Sequence, residues 1–101
     1  MTYNSEQTIN KIISLSFEVY NTLGKGFLES VFRNSLAVEL KTHGYDVEVE
    51  KPVRVYYKGC DVGFYKIDLL VDSHIVIECK CVSAVIINFS GSKGVEVKRV
   101  F

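Results

Sequence analysis

The stretch Tyr65–Cys81, YKIDLLVDSHIVIECKC, decides how the rest of the chain is read. Its Val, Ile and Leu content and its period of two predict a β-hairpin that turns around Asp72 and Ser73. A hairpin buried on both faces has no use for Asp68, Glu78 and Lys80 in its interior, where each charge is costly to desolvate. These charges therefore lie on a wet face or take part in chemistry.

Turn length decides which side chains meet. A two-residue turn pairs Val71 with His74, sets Asp68 opposite Ile77 and scatters the charges over both faces. A three-residue loop, Asp72 to His74, pairs Val71 with Ile75, Asp68 with Glu78 and Lys66 with Lys80. The second register sorts the sequence better. It gathers Lys66, Asp68, Glu78 and Lys80 with Leu70 and Val76 on one face, and Tyr65, Ile67, Leu69, Ile77, Cys79 and Cys81 on an apolar one.

Like charges directly opposed across a sheet are destabilising, so a positive group is expected between Asp68 and Glu78. Two readings supply it. In the first, the carboxylates hold Mg²⁺ or Mn²⁺, hard cations suited to oxygen ligands; Mg²⁺ takes one or two protein carboxylates plus waters and substrate phosphate oxygens. Lys80 then orients or deprotonates an attacking water, or stabilises charge on a phosphate, and Lys66 offsets part of the negative charge. In the second, the four residues form a cross-strand salt-bridge ladder on a solvated face. Spacing alone admits both.

Before the hairpin, Ile9, Ile12, Ile13, Phe17, Tyr20 and Leu23 recur at helical spacing between Glu6 and Leu23, with Asn4 or Ser5 as cap and Gly24 as stop. After the loop Gly24–Gly26 a second helical pattern carries Leu28, Val31, Phe32, Leu36 and Leu40 to a stop at His43 and Gly44. From Tyr45 the period is two: YDVEVEK, then Pro52, then VRVYYKG, the hairpin itself, VIINF at 85–89, and VEVKRVF after the turn SGSKG. Only Val82, Ser83 and Ala84 part VIINF from the preceding strand, too few residues for a crossover helix. The expected fold is α+β: two N-terminal helices packed on a mixed, mostly antiparallel sheet, in a single domain over residues 1–101.

The totals agree with one core: 101 residues, 48% hydrophobic and 24% charged, with one proline, is a folded composition. Twelve basic and twelve acidic residues give a net charge of zero, which excludes a dedicated DNA-coating protein. Residues 1–50 hold four basic and seven acidic side chains, and residues 51–101 hold eight and five, so a polyanion is drawn to the second half. Lys51, Arg54, Lys58, Lys98 and Arg99 are candidate phosphate contacts or ordinary edge-strand lysines and arginines.

Cys60, Cys79 and Cys81 read as reduced thiols, since strand neighbours about 6.5–7 Å apart make poor disulfides. With no second ligand pair, Cys79 and Cys81 do not make a zinc site. Neither His43 nor His74 sits in a nucleophile or zinc constellation. Gly24 and Gly26 fall in a turn and form no nucleotide fingerprint. The N-terminus has no leader pattern and no apolar run reaches membrane length, so a soluble cytoplasmic protein is expected.

GFLESVF at Gly26–Phe32, with YKIDLLV and IVIECKCV, resembles the GxxExxY proteins, small prokaryotic proteins placed in the PD-(D/E)XK nuclease superfamily. The resemblance runs from the first helix to INF near Asn88. It implies a metal-binding Asp68, an E-x-K pair in Glu78 and Lys80, and a further metal-site carboxylate in Glu29, early in the second helix. The implied activity is Mg²⁺- or Mn²⁺-dependent hydrolysis of DNA or RNA phosphodiesters. Phe32 stands where the naming motif ends in tyrosine. The family also runs through a glutamine-bearing helix after the E-x-K strand, which this chain lacks; it is expected to be a shortened core of that fold. Missing cover suggests a homo-oligomer, including a strand-exchanged dimer in which residues 75–89 form one long strand. The alternative function is an inactive relative that self-associates or binds a partner.

Overall fold

The N-terminal helix forms because Asn4 can start it and an apolar stripe can bury it. In the computed structural model, which describes residues 3–24, 28–80, 84–89 and 95–99, α1 spans Ser5–Leu23, and Gln7 N–H donates to the Asn4 side chain at 3.0 Å. Its buried stripe is Ile9, Ile12, Leu15, Ser16 and Val19. This is rotated from the expected one, leaving Phe17 43% exposed. Ser16 tolerates burial because its hydroxyl donates back to the Ile12 carbonyl at 2.7 Å.

The second helix, α2, spans Glu29–Thr42 and buries Leu36, Ala37 and Leu40. It stops where expected: His43 N–H donates to the last-turn carbonyls, and Gly44 takes φ +90°, which a side chain would resist. The loop ahead of α2, including Gly26 and Phe27, lies outside the described residues, as do the SGSKG turn, Cys81 and the side chains of Lys98 and Arg99.

Five strands follow: β1 Val47–Tyr57, β2 Cys60–Val71, β3 Ile75–Cys79, β4 Ala84–Phe89 and β5 Val95–Arg99. They lie in the order β1-β2-β3-β4-β5, and each described ladder is antiparallel. The α+β architecture expected from the sequence is therefore the observed one. β1 runs straight through Pro52, which pairs with Lys66. A proline is tolerated there because β1 is an edge strand, where a missing N–H need not break a ladder.

The β2–β3 hairpin takes the three-residue loop, with Val71 paired to Ile75, Leu70 to Val76 and Leu69 to Ile77. Asp72 and Ser73 both have positive φ, at 52° and 55°, as a tight hairpin turn demands. Asp72 is tied down on both sides. Its carboxylate accepts Asp46 N–H at 2.9 Å and its own N–H donates to the Asp46 carbonyl at 2.8 Å.

Both helices pack on one sheet face, where Ile9, Ile12 and Leu36 meet Leu69, Ile77 and Ile86 in a single buried cluster. The long strand considered over residues 75–89 is not adopted: β4 folds back on β3 within the chain, with Cys79 opposite Ala84 and Ile77 opposite Ile86. Pairing β3 inside its own chain satisfies its backbone groups without a partner subunit.

Candidate active site

The sheet is locally broken around Asp68. On the β1 side, Val49 pairs with Leu69 and Lys51 with Ile67, but Glu50, which faces Asp68 in that register, drops out of the ladder with φ 54°. A left-handed conformation costs a non-glycine residue roughly 1–2 kcal/mol. On the β3 side, pairing ends at Leu69 and Ile77. One step further, Cys79 N–H donates to Asp68 Oδ2 at 2.8 Å, so a side chain takes over where a backbone carbonyl would have served.

Across this break Asp68 lies close enough for its charge to act on Glu78. Glu78 is half-buried, and its Oε1 has no hydrogen-bond partner among the described residues. Loss of hydration is the main force raising the Glu78 pKa above the ordinary glutamate value, and the Asp68 charge adds to it. Hydrogen bonding with the Tyr65 phenol and the positive charge of exposed Lys80 pull the other way. Tyr65 is raised in turn, chiefly by its bond to Glu78.

The Cys79 thiol lies at the meeting point of these charges. Burial pushes its pKa up to about 12, with Asp68 and Glu78 raising it further, Arg33 lowering it and Glu29 raising it. The first two turns of α2 thus bring Glu29 and Arg33 close enough to act on the same spot as the two strand carboxylates. An unreactive buried thiol fits the reading of Cys79 as core.

Charge pairing departs from a ladder. Lys66 Nζ lies 3.4 Å from Glu50 Oε2, and Arg33 Nη2 lies 3.0 Å from Glu50 Oε1. Neither Asp68 nor Glu78 forms an ion pair among the described residues, so Lys66 offsets Glu50 and not the carboxylate pair. Among the described residues, no group of three or more His, Cys, Asp or Glu side chains is gathered tightly enough to hold a metal ion. The acidic groups that act on one another here are Asp68 and Glu78, with the Lys80 charge opposing them.

Three participants escaped the sequence reading. Tyr65 is expected on the apolar face, and it pairs with Val53 in the β1–β2 ladder, but the helices do not cover that part of the ribbon and it is 49% exposed. Arg33 was legible from its place one helical turn after Glu29. Glu50 was legible once β1 was put in register, because it falls opposite Asp68.

Comparison with known proteins adds one finding. A family model described as the PD-(D/E)XK nuclease superfamily matches residues 6–89. No curated protein and no solved structure matches the chain. Among the described residues no helix is long and apolar enough to cross a membrane.

Proposed function

Because the chain belongs to the PD-(D/E)XK nuclease superfamily, with the match spanning residues 6–89, we propose that it is a metal-dependent hydrolase of nucleic-acid phosphodiester bonds. Within the superfamily, the GxxExxY pattern around Glu29 marks the group to which we assign it. The observation that carries the reading is the Glu78 Oε1, buried and without a hydrogen-bond partner among the described residues, within reach of the Asp68 charge. A buried carboxylate oxygen without a donor is costly unless a cation or a proton completes it.

Asp68 and Glu78 would hold Mg²⁺ or Mn²⁺, with Glu29 contributing from α2. Two carboxylates suffice for Mg²⁺ when waters and substrate phosphate oxygens fill the other positions. Such an ion, when bound, polarises the phosphoryl oxygen and acidifies water. Lys80 is exposed beside Glu78 and supplies a compact positive charge that orients the attacking water and stabilises the phosphate as negative charge builds on it. Cys79 N–H fixes Asp68, and the Tyr65 phenol fixes Glu78, so neither carboxylate must be ordered when substrate arrives. Arg33 engages Glu50 and keeps that third acid away from the pair.

The test is incubation of the purified protein with labelled DNA and RNA in Mg²⁺ or Mn²⁺. Cleavage that is lost with chelator, with Asp68→Asn and with Lys80→Ala supports the reading. Absence of cleavage, or cleavage that survives both substitutions, defeats it.

A further inference from the structure

The β1–β2 ribbon runs well past the part of the sheet that the helices cover. Val47, Leu69 and Val71 belong to the core, whereas positions 54–66 are exposed apart from half-buried Gly63. Large aromatic rings stand on this bare ribbon: Tyr56, Tyr57 and Phe64 are 62%, 55% and 68% exposed. The pleat sets Tyr56 and Phe64 on one face with Arg54 and Asp61, and Tyr57 on the other; the paired rings of the first face mark a surface that meets something.

Cations are interleaved with the rings. The Arg54 guanidinium sits 3.8 Å from the Phe64 ring centroid, and Lys58 Nζ lies 5.4 Å from that of Tyr57. Residues 51–66 contain Lys51, Arg54, Lys58 and Lys66 against a single acid, Asp61, and that acid is held by Arg54. At its inner end the ribbon runs along β2 into Asp68.

We propose that this ribbon is a stacking platform for unpaired bases, so that the substrate is single-stranded nucleic acid or carries a single-stranded segment. The inference rests on the reading of the chain as a nucleic-acid hydrolase and names its substrate class. Tyr56 and the side of Phe64 turned away from Arg54 give bases a surface to stack on, and Arg54 and Lys66 on the same face meet the phosphates. A duplex offers the ribbon no such match, because its base faces are already stacked on one another. A second copy of the chain is a poorer occupant, since an isologous contact would press two positively charged ribbons together. A strand lying along this face passes Lys66 and reaches Asp68.

Binding is measured by fluorescence anisotropy of a labelled oligothymidylate of about 20 nucleotides, and of a duplex of equal length, in chelator so that hydrolysis plays no part. Light scattering on the same samples reports oligomeric state. The expected result is tighter binding of the single strand than of the duplex, weakened about 5- to 150-fold by Phe64→Ala or Tyr56→Ala, the loss that corresponds to one base–ring stack. Phe64→Leu weakens it similarly, because leucine is apolar but has no ring face. Three results overturn the proposal: no preference for the single strand, binding indifferent to both rings, or a dimer that Phe64→Ala dissociates. Ring-dependent binding without cleavage in Mg²⁺ would sink the catalytic reading and leave this one standing; cleavage indifferent to the rings would do the reverse.

Discussion

Replacing Asp68 by alanine should destabilise the protein where replacing it by asparagine does not. The Asp68 carboxylate accepts Cys79 N–H at 2.8 Å just beyond the last β2–β3 pair. No ladder carbonyl is in register to take over that donor. Hydrogen bonds to charged groups contribute roughly 1.5–3 kcal/mol, and a stranded buried donor costs about 1–3 kcal/mol. Removing the negative charge also relieves its repulsion of Glu78, which offsets part of the loss. The net expectation for Asp68→Ala is a loss of about 1–3 kcal/mol, or roughly 4–24 °C in Tm for a domain of this size. Asparagine keeps an acceptor at the same place, so Asp68→Asn should stay within about 1 kcal/mol of the unaltered protein. Thermal unfolding with and without Mn²⁺ reads both effects. At a hundredfold excess over its Kd the ion should stabilise the unaltered protein by about 2.7 kcal/mol, and neither variant appreciably. Equal Tm values for the two variants, or full Mn²⁺ stabilisation of Asp68→Asn, would refute the reasoning.

Other consequences follow from the same geometry. Glu78 has a raised pKa in the folded chain, so the folded state binds its proton more tightly than the unfolded state does; the stability this gives is present at low pH and lost as pH rises through the folded value. Glu78→Gln should therefore raise Tm at neutral pH in chelator, with the gain shrinking on acidification, and Mn²⁺ affinity of the unaltered protein should fall as the pH is lowered through that raised value. Glu50 has φ 54° and loses both its ion pairs on truncation, so Glu50→Gly should be more stable than Glu50→Ala by about 1 kcal/mol in urea unfolding. Leu36 and Ile77 are fully buried; Leu36→Ala should cost about 2–5 kcal/mol and Ile77→Val about 0.5–1.5 kcal/mol. Asn4→Ala, which removes the side-chain cap on α1, should cost about 1 kcal/mol.

Much of the fold is legible because periodicity and turn chemistry are local. Asn4, Gly24 and Gly44 punctuate the two helices, and the alternation of Ile75, Ile77 and Cys79 against Val76 and Glu78 selects the hairpin register. The buried stripe of α1 differs from the expected one because Phe17 and Leu15 lie on nearly opposite sides of the helix and the core takes Leu15, while a serine that satisfies its hydroxyl on the preceding turn can take a buried place that polarity alone denies it. Near the proposed site, the hairpin register is legible up to the last observed pair, Leu69 with Ile77. The break in the sheet around Asp68 is not, since it depends on Glu50 leaving one ladder and Cys79 N–H leaving the other.

Diffraction at the manganese edge from a Mn²⁺-soaked crystal asks the central question most directly. The account predicts an anomalous peak within bonding distance of carboxylate oxygens from both Asp68 and Glu78, with the open positions facing solvent near Lys80. A map with no peak there, or with the two carboxylates turned to opposite sides of the sheet, would contradict it.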